Sequence, residues 1–260
     1  MKLLSKKKFI LIVVLVFLFL IFKDTIHTAL FFDINSPDLL NSDGAQIKLY
    51  LLKDSISLVN LRFNFMSYVS FLIPILLIIL GYDYKEIKNN LLKYNIGKNK
   101  AYNKKLFFGK MKFAVFASLI VLFAFSFVMS VSIFFNGSTT NVVDEFVFDN
   151  SSVLSKIFNS DYGFLLFTVL SVMFSIIING FFYYILIDYI DFIKGTLLFI
   201  SFIWIGSMIL YRFLPFYLVP MSSIMITSYG NISIPKMLSP YIFHIMILVY
   251  ILSSRKYEVK

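Results

Sequence analysis

The chain has 260 residues, of which 59% are hydrophobic and 15% are charged, and it contains no cysteine. About a quarter of the residues in a soluble domain are charged, so this composition predicts an integral membrane protein. The absence of cysteine excludes disulfides, thiolate nucleophiles and cysteine-based metal sites. A formal net charge of +10 could suit a nucleic-acid-binding protein. The lysines, however, are distributed as membrane topology requires, so we expect no nucleic-acid partner.

The apolar segments predict six transmembrane helices in a single domain, 1–260. Their approximate limits are 9–32, 66–82, 113–135, 162–187, 196–211 and 240–252. The first follows the charged segment Met1–Lys8, as the apolar part of a signal peptide does. No small-residue cleavage site comes after it, so we interpret it as an uncleaved span. The second contains Pro74, which predicts a local kink.

The basic residues are divided unevenly between the segments that join these spans. Of the 24 lysines and arginines, 17 lie in the two termini, in segment 83–112 and at Lys194. The other seven lie in the three outer segments, the first of which is counted from Lys23, at the end of the first span, to Asn64. Segment 83–112 alone contains nine lysines. Lysine-rich connections are retained on the cytoplasmic side of a membrane. The asymmetry therefore predicts that segment 83–112 and both termini are cytoplasmic.

Segment 212–239 is apolar but contains four helix-breaking residues. These are Pro215, Pro220, Gly230 and Pro235. Because a straight helix does not accommodate them, we expect two short half-helices that dip into the outer leaflet and pack against protein. The four residues would then form an outer gate. The alternative is a hydrated loop resting on the membrane, for which the segment has enough serine and threonine.

The sequence contains no recognisable catalytic or cofactor-binding motif. No Asp, Glu, Lys or Arg interrupts the apolar runs of spans two to five. There is no nucleotide-binding glycine-rich loop and no zinc-protease motif, so we expect neither an enzyme nor a bound cofactor or metal. His244 in the last span is interpreted as hydrogen-bonded inside the bundle, and contact with a substrate is the alternative. Asn179 in the fourth span is a second candidate substrate contact.

Segment 83–112 has the features of a docking element. Ile87, Leu91 and Tyr94 recur at i, i+4 and i+7, which predicts an amphipathic helix over 83–94. Lying flat at the inner surface, such a helix could offer a ridge to a cytoplasmic partner. The alternative is that the lysines only anchor the loop to acidic lipid headgroups.

This arrangement resembles the ATP-binding-cassette type 2 exporter permeases. That family has six spans, both termini inside, a coupling helix between spans two and three, and re-entrant helices before the sixth. Segment 83–112 carries the matching motif. It begins with an acidic and a basic residue, Glu86 and Lys88, and continues with the pair Leu91-Leu92 and then Ile96-Gly97-Lys98. Asn95 stands where the family has proline. Lys110 or Lys112 fills the place of the family's lysine at the third span. The resemblance implies that five residues couple the chain to an ATPase: Glu86, Leu91, Leu92, Ile96 and Lys98.

The resemblance implies an all-α permease subunit of an ATP-driven exporter in a bacterial plasma membrane. Its partners would be a separate ATPase, a second permease chain of the same or a related sequence, and membrane lipids. The cargo would be a hydrophobic or amphipathic peptide, drug or lipid, and an antimicrobial peptide is one example. The alternative is a non-transport immunity or scaffold protein that binds a toxin or partner directly. A membrane-embedded transferase or hydrolase is disfavoured because no polar catalytic set lies at a common depth.

Overall fold

A computed structural model describes residues 3–36, 39, 43–94, 99–136, 148–149, 151–158, 160–225 and 230–254. These residues are largely helical and form no β-strand, although Phe148 and Ile232 make one isolated parallel β-bridge. The α-helices are α1 (Leu3–Ile21), α2 (Lys23–Phe31), α3 (Gly44–Ser55), α4 (Leu58–Tyr94), α5 (Asn99–Asn136), α6 (Val153–Phe158), α7 (Asp161–Tyr189), α8 (Phe192–Ile200), α9 (Ser207–Leu210), α10 (Ile234–Leu238) and α11 (Tyr241–Ser254). A π-helical turn, Ser201–Gly206, joins α8 to α9, and two 3₁₀ turns follow at Phe216–Leu218 and Pro220–Ser223.

Four helical segments in the described part of the chain are long and apolar enough to cross a membrane, as expected of an α-helical membrane protein. They are Leu58–Asn90, Lys104–Phe135, Asp161–Tyr189 and Phe192–Leu210. The predicted first span is instead a pair of helices, α1 and α2, bent by 60° at Phe22. At the bend, the Asn64 side-chain amide of α4 donates a hydrogen bond of 3.3 Å to the carbonyl of Ile21. The predicted last span forms a shorter apolar helix, Tyr241–Ile251.

The second and third predicted spans are parts of much longer helices. α4 passes Pro74 without a break and continues through the predicted loop to Tyr94, and α5 begins at Asn99. Segment 83–94 is therefore helical, as its periodicity predicts, but it continues the span and is not a separate helix lying on the membrane. Its sequence explains this, because no glycine or proline occurs between Tyr82 and Tyr94 and its lysines and leucines are good helix formers.

α7 is the central helix of the bundle. Half of its residues are buried, and it packs against α4, α5, α6, α8 and α11. Small residues allow the closest crossings. A Cβ on Gly180 would lie 3.0 Å from Leu77 Cδ2 on α4 and 3.1 Å from Ala114 Cβ on α5. Since lipid tails are as apolar as the helices, such close van der Waals contact is a main source of helix association in a membrane.

The two ends of the bundle differ in polarity. At one end α4 finishes, α5 begins, and the turn Ile190–Asp191 joins α7 to α8; we call this the charged end. The connection predicted over 188–194 is thus reduced to two residues, and Asp188 lies in the last turn of α7. Asp191 has a φ of 142° and a ψ of 160°, a backbone region that is essentially restricted to glycine and costs about 1–3 kcal/mol.

Candidate functional site

Two hydrogen-bonded clusters, of four polar side chains each, lie in the described part of the mostly apolar bundle. The Asp188 cluster lies at the charged end and consists of Asp188, Tyr84, Lys88 and Lys110. The central polar cluster lies about one turn from the middle of α7, in the direction of the charged end. It consists of Asn179, Ser175, Ser223 and His244.

In the Asp188 cluster, one carboxylate accepts three hydrogen bonds from two neighbouring helices. Lys88 Nζ donates to Oδ1 at 2.8 Å, while the Tyr84 hydroxyl and Lys110 Nζ donate to Oδ2 at 2.8 and 2.6 Å. The Asp188 side chain is only 9% exposed, and those of Lys88 and Lys110 are 22% and 12% exposed. Charge-assisted hydrogen bonds of this kind are stronger than neutral ones. The cluster therefore joins α4, α5 and α7 at a single point.

Aromatic rings surround this cluster on the bundle side. The Tyr84 ring lies 5.2 Å from that of Tyr184, and Lys110 Nζ lies 6.0 Å from the centre of the Phe181 ring. Burial, followed by the negative charge of Asp188, raises the pKa of Tyr102 near the start of α5. Tyr102 therefore remains a neutral phenol at physiological pH and adds no negative charge to the cluster.

A pocket of about 320 Å³ adjoins the Asp188 cluster, between α4 and the α7–α8 turn. Lys85, Lys88 and Asn89 line it from α4, at the i, i+3 and i+4 positions that share one helix face. Lys85 Nζ lies 5.2 Å from the centre of the Phe192 ring and 3.9 Å from Asp191 Oδ1. We call this space the lysine pocket.

The central polar cluster is held together by the side chain of Asn179. Its amide group donates to the carbonyl and hydroxyl oxygens of Ser175 at 2.9 and 3.3 Å, and to Ser223 Oγ at 3.1 Å. Its Oδ1 lies 3.0 Å from His244 Nε2. All four side chains are 2% exposed or less. The cluster thereby links α7, the second 3₁₀ turn and α11.

His244 has an acceptor beside each of its ring nitrogens. Nε2 faces Asn179 Oδ1, because the Asn179 amide donates to serine oxygens, and a neutral imidazole donates from only one of its two nitrogens. Nδ1 lies 3.2 Å from the carbonyl of Pro240, and the rings of Phe182 and Phe202 enclose the imidazole at 4.7 and 4.9 Å. The predicted hydrogen bonding of His244 inside the bundle is confirmed, and the structure also brings it to Asn179. Substrate contact by either residue stays a prediction.

Only the middle of segment 212–239 packs into the bundle among its described residues. Pro215 precedes the first 3₁₀ turn and is exposed, whereas Pro220 begins the second turn and is buried there together with Ser222 and Ser223. The Met221 N–H donates to Ser207 Oγ at 2.9 Å, which fastens this turn to α9. The described residues form two 3₁₀ turns and the short α10 in place of two half-helices.

The other predicted gate residues lie near the end of that segment. Pro235 lies in the first turn of α10, and Gly230 is exposed just before the bridge residue Ile232. The sequence predicts that two such half-helices meet around Ser228-Tyr229-Gly230, and Ser228 and Tyr229 lie outside the described residues.

The predicted coupling residues belong to neither polar cluster as far as the described chain extends. Glu86 is exposed on α4. Leu91 and Leu92 lie in the last turn of α4, and their side chains are outside the described part of the structure, as are Ile96 and Lys98 entirely. Their coupling role stays a prediction.

An apolar groove of about 510 Å³ runs between α1, α4 and α5. Nine of its ten lining residues are apolar, including Leu11, Phe116 and Phe123, and the tenth is Asp83. Its walls can contact hydrocarbon along several turns of α5.

Sequence reasoning missed the Asp188 cluster and Ser223. Asp188 directly follows the apolar run of the fourth span, and Lys110 stands just before the third. An acidic residue at the end of one span and a lysine at the end of another can form an ion pair, and the sequence shows both. It does not show which helices are neighbours, so the partner of Asp188 cannot be chosen without the packing. Ser223 carried no signal of its own, because neighbouring serines in segment 212–239 share its sequence context.

Comparison with known proteins identifies no relative. The chain matches no family model, no curated protein and no solved structure. Within the described residues there is also no group of three or more His, Asp or Glu side chains that could hold a metal ion.

Proposed function

We propose that this chain is the membrane-spanning permease subunit of an ATP-driven exporter for a hydrophobic or amphipathic substrate. In this proposal it crosses a bacterial plasma membrane six times, with the bent pair α1–α2 as the first span and α11 as the last. Both termini and the charged end face the cytoplasm. A separate subunit hydrolyses ATP, and a second permease chain completes the path.

The observation that carries the proposal is the attachment of the charged helices to the rest of the bundle. α4 and α5 extend past their apolar stretches as continuous helices, and Asp188 ties both of them to α7 through Lys88 and Lys110. A force applied near the α4–α5 connection would therefore reach α7 through hydrogen-bonded contacts. This is the mechanical link that a partner-driven, two-state bundle requires.

The buried 3₁₀ turn supports a gate near the middle of the bundle. Ser223 reaches Asn179 near the middle of α7 and is 1% exposed, so the turn occupies space inside the bundle. In the proposal, this turn moves outward during transport and exposes Asn179 and His244 to the substrate.

A single cysteine tests the gate, because the chain has no native thiol. Ser223→Cys should react slowly with a polar maleimide in the resting protein and faster when ATP is turned over. Asn231→Cys, at an exposed position, is the fast-reacting control. Equally fast labelling of both variants at rest would contradict a closed gate.

Purification of the tagged chain from its native membrane in a mild detergent tests the exporter role. An ATPase subunit should copurify and be identified by mass spectrometry. In Leu91→Asp/Leu92→Asp its recovery should fall at least about tenfold, because a charge replacing an apolar interface anchor is buried without a partner. Asn89→Asp/Asn90→Asp adds the same charge at exposed positions of the same helix and should retain the ATPase.

The outcomes separate the alternatives. If no ATPase accompanies the unmodified chain, the exporter proposal fails and a non-transport immunity or scaffold protein becomes the better explanation. If both double variants retain the ATPase, the subunit docks elsewhere and the end of α4 is not the coupling site. If both double variants lose the ATPase equally, the added negative charge causes the loss, and the leucine side chains do not.

A further inference from the structure

We propose that the lysine pocket binds a phosphate group at the membrane surface. The pocket lies between the charged part of α4 and the α7–α8 turn. It shares Lys88 and Asp188 with the mechanical link of the exporter proposal, but no step of that proposal places a ligand in it. The inference stands on the pocket's charge balance, its donors and its depth, and it does not depend on the exporter role.

The charged groups in and behind the pocket carry a net charge of +1. Lys85 and Lys88 line the pocket together with Asp188 and Asp191, and Lys110, which is not a lining residue, adds a third ammonium group on Oδ2 of Asp188. Both oxygens of Asp188 already accept hydrogen bonds from Lys88, Lys110 and Tyr84. Because Lys110 and Lys88 are largely shielded from water, the excess positive charge is screened less than it would be on an open surface. A bound anion would neutralise it.

The donors that line the pocket match a phosphate. A lysine ammonium has three N–H donors, and only one of those on Lys88 is directed to Asp188 Oδ1. Lys85 Nζ is 3.9 Å from Asp191, which is beyond hydrogen-bonding distance. Asn89 adds a side-chain amide from the next position of the same helix face. These three side chains can converge on the oxygens of one phosphate.

The depth of the pocket favours a lipid as the source of that phosphate. The apolar run of α4 ends at Tyr82 and that of α7 at Ile187, so the pocket lies at the ends of the apolar stretches. Lipid headgroups occupy this level of a membrane, and lysines close to it attract anionic lipids. Ile187 and Phe192 supply an apolar wall, where the upper part of an acyl chain could lie.

Native mass spectrometry of the full chain released from detergent tests the proposal. The probes are phosphatidylglycerol and digalactosyldiacylglycerol with the same acyl chains, of which only the first contains phosphate. In Lys85→Gln/Lys88→Gln, the affinity for phosphatidylglycerol should fall about tenfold, as expected for the loss of charge-assisted hydrogen bonds. Lys104→Gln/Lys105→Gln removes the same charge from exposed positions of α5 and should change the affinity less than about twofold.

Competition identifies the source of the phosphate. If millimolar sn-glycerol 3-phosphate displaces phosphatidylglycerol from the unmodified protein, the pocket accepts free phosphate compounds. If it does not, the pocket takes the lipid phosphate, and both results support a phosphate site. Lys85→Gln alone, which leaves the Asp188 cluster intact, should still weaken binding if the double variant does not fold. Unchanged binding in the lysine variants, or equal affinity for the phosphate-free lipid, would overturn the proposal.

Discussion

Asp188 shows how a single residue can organise the end of a membrane bundle. A carboxylate and two ammonium groups are costly to remove from water, and they are tolerated here because each hydrogen-bonds to another. The geometry places Asp188 where it meets one lysine from α4 and one from α5. Truncating this one side chain would leave both lysines without their shared partner.

We expect Asp188→Asn to lower the stability of the protein by about 3 kcal/mol, because two largely buried ammonium groups lose their counter-charge. The measurement is thermal unfolding in detergent, followed by loss of the monodisperse species. Asp191→Asn is the matched control, since Asp191 is 54% exposed and its ion pair with Lys85 spans 3.9 Å. The control should change stability by less than about 1 kcal/mol. Equal melting temperatures for Asp188→Asn and the unmodified protein would show that the Asp188 cluster does not stabilise the fold.

At the scale of the elements, helix continuity and close packing decide the architecture. α4 and α5 extend far beyond their apolar stretches, and α4 crosses α7 where Gly81 meets Tyr183. A Cβ on Gly81 would lie 2.5 Å from Tyr183 Cε1 and 2.8 Å from its hydroxyl oxygen. Tyr183 is fully buried and its hydroxyl is hydrogen-bonded to Thr196 at 2.8 Å. The ring therefore has little room to move, so this crossing needs a glycine.

Gly81→Ala should destabilise the bundle by about 2 kcal/mol, since overpacking at a buried contact forces the helices apart. Gly109→Ala on α5 is the control, because its Cβ would lie 3.6 Å from the Tyr84 ring, an ordinary contact. That change should be neutral or stabilising by up to about 1 kcal/mol through helix propensity. Apparent melting temperatures in one detergent give both values. A stabilising effect at both positions would contradict the close crossing of α4 and α7.

At the scale of the whole molecule, lysines are concentrated at the charged end of the described bundle. The described lysines of the charged end lie on α4, α5 and α8, while the bridge between Phe148 and Ile232 marks the opposite end. Retention of lysine-rich segments in the cytoplasm would orient the entire bundle. Sidedness is therefore a property of the molecule and not of any single helix.

We expect Lys100→Cys to react with a membrane-impermeant maleimide only from the cytoplasmic side, and Thr140→Cys only from the outside. The absence of native cysteine makes each introduced thiol the only reactive group. The measurement compares labelling of intact cells with that of inverted vesicles. Labelling of Lys100→Cys in intact cells would reverse the proposed orientation and remove the cytoplasmic docking surface.

The sequence by itself determined the class of the protein and the helical character of its segments. Long apolar runs require an α-helical membrane protein, because hydrocarbon offers backbone groups no other hydrogen-bond partners. The i, i+4, i+7 spacing of Ile87, Leu91 and Tyr94 correctly predicted helix over 83–94. The burial of His244 followed from its place in an apolar span. These properties depend on local pattern and composition, which a single sequence displays.

The tertiary structure alone decided how those segments end and which distant residues meet. Helix ends depend on competition between local breakers and tertiary contacts, so α4 continued through the predicted loop and α1 bent at Phe22. The pairs Asn179–His244 and Lys110–Asp188 join residues that are far apart in the chain. Sequence periodicity does not identify such partners, because a polar side chain in an apolar helix can hydrogen-bond to any neighbouring helix that has a polar group at the same depth. Only the packing of α7 against its neighbours determines which residue is the partner.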